Sequence, residues 1–372
     1  MRVLLVLSTF FICYLPILFY SAFMPYLTRK TESFGVSIPE EIYDDPEVQR
    51  IRSTYRSSVL AFGVVFAIFS LFTGLAAPLT VTYIFLPIGT LIQLVIMAVF
   101  YLHGHRQMKS LKEKSNWLSN KQQVTMVDTD FRKRKLFVSP LWFMLYVVGV
   151  AITLGIGFTF YENMPFRVPM QFDFSGEVTR YAEKSTGTIL FAPLMQVFIT
   201  FIMAFSYWSI GKAKQQIDVS HPEESIETNR IFRYRWSAFT VFSGLALVIM
   251  FGIMQLTIVG IIKNTLSMIV VPLGFSGIIV IAAIVLSITT GQGGSRIRLP
   301  FSKYNGYVNR DEDRHWKWGV FYFNPDDPSI FVEKRFGIGW TNNFANPMSW
   351  VFMIGLIVLI VFVGVVSKFL DV

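Results

Sequence analysis

Few residues in this chain have a type and spacing that suggest a catalytic or metal-binding site. His103 and His105 flank Gly104, and such a pair could contribute to a metal site, but no third ligand is near in sequence. A second candidate metal cluster combines acidic and histidine side chains near the C-terminus: Asp311, Asp313, His315, Asp326 and Asp327. The last two are better explained as turn formers beside prolines, and the first three as a solvated charge run. We therefore predict no metal site and no bound cofactor.

Signatures of nucleophilic or hydrolytic catalysis are also missing. The sequence contains no His-Glu-x-x-His and no Gly-x-Ser-x-Gly, and Cys13, its single cysteine, has no histidine beside it in sequence. These absences favour a protein that is not an enzyme. A membrane enzyme whose site is gathered from separate loops remains an alternative.

The composition indicates which kind of fold would position any functional site. Of 372 residues, 53% are hydrophobic and only 15% are charged, whereas a soluble domain carries about 25% charged residues. A single cysteine also excludes a scaffold of intrachain disulfides. We predict an all-α polytopic membrane protein with the lipid bilayer as its immediate partner.

Long stretches without Asp, Glu, Lys or Arg are the candidate spans, because a helix needs about 20 apolar residues to cross the bilayer. They predict about eight transmembrane helices, at roughly 3–27, 58–76, 80–102, 139–161, 188–210, 237–259, 267–290 and 348–367. Pro78 marks a turn between the second and third. Asp45 before Pro46 predicts a helix N-cap, and the short helix that begins there is expected to run straight into the second span. The first run follows Met1-Arg2 and also resembles a signal peptide, although it is longer than is typical.

Polar residues within these spans are few. We find no ionisable side chain in the core of a span, which argues against transport coupled to protons or ions. Gln93, Gln196 and Gln255 are expected to bond across helices as packing contacts.

The loops differ sharply in basic charge. Of the 33 Lys and Arg residues, 27 fall in the loops 28–57, 103–138, 211–236 and 291–347. Basic loops stay in the cytoplasm, so we predict a cytoplasmic position for these four and an outside position for both termini. Anionic lipid headgroups then account for the net charge of +9, and no nucleic-acid partner is expected.

These spans and loops predict the domain organisation. Each unit is defined by its helices and its loop: 1–102 with three transmembrane helices and the cytoplasmic loop 28–57; 103–138, a basic cytoplasmic loop; 139–210, a helix pair with the outer loop 162–187; 211–290, a cytoplasmic loop and a helix pair; 291–347, a cytoplasmic aromatic β-hairpin domain; and 348–372 with the last transmembrane helix.

Two loops have sequence patterns that predict secondary structure rather than a simple connection between helices. In the outer loop, Pro165 and Pro169 force an extended entry, and apolar and polar residues then alternate from Val168 to Ser175 as in a strand. In the last loop, 316–323 and 329–334 read as two strands around the turn Asn324–Pro328. This predicts a small cytoplasmic β-hairpin insertion before the last helix.

The same two loops carry a resemblance to SdpI-type bacterial membrane proteins and the domains that accompany them. In the outer loop the similar residues are Pro165, Pro169, Phe172, Gly176, Tyr181 and Lys184, with Gln171 where the family pattern has histidine. In the last loop they are Asp313, His315, Trp316, Gly319, Tyr322, Asn324, Pro325, Asp327, Pro328, Arg335, Gly337, Gly339, Trp340, Asn343 and Pro347. The resemblance implies a bacterial plasma-membrane protein that gives immunity to a secreted killing peptide and signals by recruiting a repressor.

We therefore expect a non-enzymatic sensor or immunity protein that binds an extracellular peptide or envelope ligand and reports to a cytoplasmic regulator or transporter subunit. The hypothetical outer contacts are Pro165, Pro169, Gln171, Phe172, Asp173, Gly176, Tyr181 and Lys184. The hypothetical cytoplasmic contacts are Trp316, Trp318, Tyr322, Asn324, Asp327, Arg335 and Trp340. A transporter, or an accessory subunit of one, is the alternative from another class.

Overall fold

The membrane-spanning part consists of apolar helices, as predicted. The computed structural model describes residues 2–117, 121–172, 178–263, 266–300 and 306–369. Within them, eight helices are long and apolar enough to cross a membrane: Phe10–Leu27, Pro46–Ala76, Ile84–Ser115, Pro140–Thr159, Thr186–Lys212, Pro222–Ile258, Ser267–Gly294 and Pro347–Val366. The fold class and the multi-pass membrane character are therefore confirmed.

The helices are numbered in chain order. They are α1 (Arg2–Thr9), α2 (Leu15–Leu27), α3 (Pro46–Ala76), α4 (Leu79–Ser115), α5 (Met144–Thr159), α6 (Thr186–Lys212), α7 (Pro222–Ile258), α8 (Ser267–Thr290) and α9 (Pro347–Phe369). A π-helical turn, Phe10–Tyr14, joins α1 to α2, and the turn and α2 together form the first span, Phe10–Leu27.

Several helices extend beyond the apolar stretches. The helix of the second span begins at Pro46, as predicted, because Asp45 caps it by accepting a hydrogen bond from the Glu47 N–H at 2.8 Å. Similarly, α4 continues past the membrane until Asn116 adopts a left-handed conformation. The turn at Pro78 lies between α3 and α4, as predicted.

Buried amide side chains join neighbouring helices, as expected. Gln196 donates through Nε2 to Thr153 Oγ1 and to the Val248 carbonyl, both at 2.8 Å. Gln255 donates to the Ile189 carbonyl at 3.0 Å, and Gln93 to the Tyr14 carbonyl at 3.3 Å. Such bonds hold helices together in lipid, where apolar contacts alone provide little preference for a partner.

Short strand pairs fill the loops. In the described residues there are five two-stranded sheets: β1 (Glu32–Ser33) with β2 (Val36–Ser37), β3 (Gln123–Val124) with β6 (Val308–Asn309), β4 (Arg167–Phe172) with β5 (Val178–Glu183), β7 (Trp316–Lys317) with β8 (Phe321–Tyr322), and β9 (Phe331–Glu333) with β10 (Trp340–Asn342). Four pairs are antiparallel and β3–β6 is parallel.

Small β-hairpins lie in the last loop before the last helix, as predicted, but their strand pairing differs from the predicted one. Trp318 and Gly319 both have positive φ, 54° and 73°, and the Val320 N–H bonds the Lys317 carbonyl at 3.2 Å. This is the geometry of a tight hairpin turn. The predicted strand 316–323 therefore folds back on itself, and 331–333 pairs with 340–342 instead.

The four basic loops meet at one end of the bundle. We call their described parts, residues 28–45, 121–139, 213–221, 291–300 and 306–346, the cap. The Lys214 N–H bonds the Phe331 carbonyl at 2.8 Å, and the Val219 N–H bonds Asn309 Oδ1 at 3.0 Å. The hairpin β4–β5 lies between α5 and α6 in the chain, at the opposite end of these helices from the cap.

Candidate functional site

A network of buried charges lies where the cap meets the helices. Glu32, Arg233, Glu333 and Arg335 are each exposed by no more than 3%. Moving an unpaired charge out of water costs several kcal/mol, so such groups persist only in pairs. The network brings together segments that are up to about 300 residues apart in sequence, and this makes it the principal polar site of the described structure.

Glu333, on β9, is the centre of one half of the network. Its Oε1 accepts a hydrogen bond from Asn229 Nδ2 at 2.6 Å and lies 3.4 Å from an Arg233 guanidinium nitrogen. Arg29 forms a second ion pair with the same carboxylate. Arg233 also donates to the Ile210 carbonyl at 2.8 Å, so it caps the C-terminal end of α6 while it holds β9.

Arg335 organises the other half. Its guanidinium forms an ion pair with Asp313 and lies 3.9 Å from Glu32 Oε1. Lys112, from the last turn of α4, reaches Asp313 Oδ2 at 2.6 Å. The prediction of a solvated charge run at 311–315 is therefore wrong for Asp313.

Burial and charge act in opposite directions on the carboxyls of the network. Burial raises the pKa of Glu32, although Arg29 and Arg335 work against it. Burial would also raise the pKa of Asp313, but there the charges of Arg335 and Lys112 outweigh it and hold the pKa at about 2. Asp313 is therefore ionised at neutral pH and pairs with two cations.

A small cavity adjoins the network. Its volume is about 110 Å³, and its walls include Glu32, Gln216, Trp316, Tyr322 and Arg335. Gln216 Nε2 donates to Glu32 Oε1 at 3.0 Å across this wall. The space accommodates a few water-sized molecules beside a buried carboxylate. Among the described residues, no group of three His, Cys, Asp or Glu is placed to hold a metal ion.

Most of the predicted cytoplasmic contact residues hold the cap together. Trp316, Tyr322, Asp327 and Arg335 are buried, whereas Trp318 is 64% exposed. The Tyr322 hydroxyl donates to Asp327 Oδ2 at 2.9 Å, and Lys214 Nζ reaches the same oxygen at 2.7 Å.

The two remaining residues of this set, Asn324 and Trp340, are half-buried. Asn324 contributes to the turn before β9, where its carbonyl accepts a hydrogen bond from Asn343 Nδ2 at 2.9 Å. The Trp340 ring packs on Phe232 with a centroid separation of 5.0 Å. A role of these residues toward a partner stays a prediction.

The predicted outer contacts that the structure describes lie on or beside the hairpin β4–β5. Pro169 pairs with Tyr181, and Gln171 pairs with Arg180. The side chains of Pro165, Gln171 and Tyr181 are exposed.

The base of this hairpin is fixed to the bundle. Phe172 packs with the buried Val168 against a cluster that includes Ile258. Lys184 Nζ donates to the Glu162 carbonyl at 3.0 Å and lies 5.0 Å from the centre of the Tyr161 ring. Asp173 and Gly176, also predicted as contacts, lie outside the described residues.

Sequence reasoning missed the residues at the centre of the network: Arg29, Glu32, Lys112, Gln216, Asn229, Arg233 and Glu333. No motif spacing links them. The available signal was weak: Glu32 closely follows the basic pair Arg29-Lys30, Glu333 precedes the basic pair Lys334-Arg335, and Arg233 lies close to the start of an apolar span.

Two stretches of the chain match sequence families. Residues 148–197 match a domain of unknown function (DUF1648), and residues 325–350 match a family of unknown function (DUF5808). The first stretch runs from α5 through the hairpin β4–β5 into α6, and the second contains β9, β10 and the start of α9. Both families are common in membrane proteins. No curated protein and no solved structure matches the chain.

Proposed function

We propose that this protein is a non-enzymatic membrane sensor of the immunity type, which binds an extracellular peptide at the hairpin β4–β5 and reports through the cap. The observation that carries the proposal is a single helix that contacts both regions. At 37 residues, α7 is about 55 Å long and has no proline beyond its first position.

The two ends of α7 contact the two regions through different chemistry. Near its start, Asn229 and Arg233 bond the Glu333 carboxylate of the cap. Near its end, Ile258 packs in the cluster that contains Val168 of β4, and Gln255 bonds the Ile189 carbonyl. A displacement of the hairpin would therefore be transmitted to the ionic network by one rigid helix, α7. Coupling between two distant sites requires such an element, whose two arrangements both sites can favour.

The hairpin offers a suitable surface for a peptide. Phe166 is 87% exposed and Tyr181 is 51% exposed, next to the exposed Arg180. A two-stranded sheet also leaves backbone groups free along its edges, and an extended peptide pairs with such an edge. The domain match over 148–197 includes this whole surface.

The location of the cap follows from charge. We place the cap in the cytoplasm and both termini outside, because 27 of the 33 Lys and Arg residues lie in the loops that contribute to it. The resemblance to SdpI-type proteins supports a bacterial plasma membrane and a cytoplasmic regulator as the partner.

The test is deletion in the native host and complementation with variants. Cells are challenged with secreted antimicrobial peptides, and survival and transcription of the neighbouring genes are measured. We expect the deletion strain to be sensitive and the wild-type gene to restore both readouts. Tyr181→Ala is expected to fail because it removes an exposed aromatic contact of the hairpin.

The matched control is Tyr307→Ala. Tyr307 is a 39% exposed tyrosine in the cap, so its replacement removes a similar side chain from the opposite end of the molecule. We expect it to restore survival. Unchanged sensitivity of the deletion strain, together with unchanged transcription, would contradict the proposal.

A further inference from the structure

A long apolar groove lies between the first span and α8. Its volume is about 650 Å³, and it is lined by one face of each helix, including Phe11, Leu15, Phe19, Phe23, Ile281 and Ile288. Phe11 and Ile281 are 60% and 63% exposed. The groove extends from Phe11 to Leu27, about 24 Å along the helix, which exceeds the roughly 15 Å depth of one leaflet.

Irregular backbone in the first span lies beside the groove. The π-helical turn Phe10–Tyr14 and Pro16 both interrupt regular helix geometry there. On the facing helix Gly277 has no side chain, and a Cβ there would lie 3.8 Å from Ile12, which is an ordinary van der Waals distance. The two helices therefore approach each other closely at Gly277, while exposed side chains such as Phe11 and Ile281 leave the groove open along their outer face.

The groove ends at a cation. Arg296 lines it just after the C-terminus of α8 and donates to the Tyr26 carbonyl at 3.1 Å. Gly291, with φ of 66°, lets the chain reverse, and the Arg296 N–H bonds the Thr290 carbonyl at 3.1 Å. Arg29, Arg233 and Arg335 have carboxylate partners, whereas among the described residues no carboxylate forms an ion pair with Arg296.

We propose that the groove binds an anionic phospholipid of the surrounding bilayer, with an acyl chain along the groove and the phosphate at Arg296. Basic pockets between transmembrane helices recognise anionic headgroups in this way. A second copy of the chain fits less well, because the lipid-exposed helices α8 and α9 contain no acidic residue that could pair with Arg296.

The test measures lipid binding to the purified full chain by native mass spectrometry. Phosphatidylglycerol and phosphatidylcholine with identical acyl chains are titrated in parallel. We expect phosphatidylglycerol to bind more tightly, and Arg296→Gln to weaken its binding about fivefold while leaving phosphatidylcholine unchanged. The matched control is Arg298→Gln, which removes an exposed arginine two residues further along that does not line the groove.

A second variant tests the groove itself. Gly277→Leu occupies part of it without a backbone clash, so it is expected to weaken phosphatidylglycerol binding while the thermal midpoint does not fall, because leucine favours a helix more than glycine does. Equal binding of the two lipids by the wild type, or equal effects of the two arginine variants, would overturn the proposal. So would a stable dimer that Gly277→Leu converts to monomer.

Discussion

At the scale of single residues, the buried charges where the cap meets the helices have more than one polar partner. Arg233 illustrates this, because its guanidinium bonds Asn229, the end of α6 and Glu333 together. Such a pair contributes little net stability over an apolar core, yet loss of one partner leaves the other charge buried and unpaired. The network therefore fixes which segments meet, and it makes the cap sensitive to single substitutions.

Glu333→Ala is expected to destabilise the protein by about 3 kcal/mol, because it leaves Arg233 and Arg29 without their shared carboxylate. Thermal unfolding of the purified protein in detergent measures the effect. Glu162→Ala is the control, since that side chain is 91% exposed and lies 3.8 Å from Lys184. We expect the control to cost less than about 1 kcal/mol. Equal midpoints for the two variants would mean that the network does not stabilise the cap.

At the scale of elements, two hairpin turns of the cap pack backbone against backbone. The turn at Phe34–Gly35 faces the turn at Trp318–Gly319, and all four residues have positive φ. The Tyr101 hydroxyl donates to the carbonyls of Phe34 and Trp318, at 3.2 and 2.9 Å. Turn geometry and a helix side chain thus join the first and last loops.

Gly35→Ala is expected to separate the two turns. A Cβ at position 35 would lie 2.3 Å from the Gly319 carbonyl oxygen, which is a backbone atom and cannot move alone. We expect a cost of about 3 kcal/mol from the clash and the strained φ together, measured as a lower midpoint of thermal unfolding.

Gly306→Ala separates these two causes. Gly306 has nearly the same positive φ as Gly35, 76° against 74°, but a Cβ there would meet nothing within 4 Å. It is therefore expected to cost only the strain of about 1 kcal/mol. If both variants unfolded at the same temperature, the close approach of the turns would have no energetic role.

At the scale of the whole molecule, the hairpin β4–β5 and the cap occupy opposite ends of the helices. The proposed function needs them on opposite sides of the membrane, with the cap inside. The basic loops favour that orientation, since cytoplasmic loops carry the excess of Lys and Arg.

Cysteine labelling tests this orientation in a Cys13→Ala background. Gln171 and Asp326 are both exposed, one on the hairpin and one in the cap. We expect a membrane-impermeant maleimide to label Gln171→Cys in intact cells, and Asp326→Cys only after lysis. The reverse pattern would place the cap outside and contradict the proposed direction of signalling.

Features that depend on neighbouring residues could be predicted from the amino-acid sequence. The length and hydropathy of the apolar stretches gave eight spans, and Asp45-Pro46 indicated where a helix begins. The glutamines in the spans were predicted to bond across helices, because an amide inside lipid needs a partner. These properties are local, so they can be read without knowing which segments touch.

The pairing of residues that are distant in sequence became visible only in the folded protein. Glu333 bonds Asn229 and Arg233, about 100 residues away, and Arg335 lies beside Glu32 from the first loop. The same holds for the strand pairing, because the turn at Trp318 divides a stretch that reads as one strand. Ion pairs have no sequence period, and short strands find partners only once the helices bring their loops to one end. For that reason the cap and its network could not be derived from the chain alone.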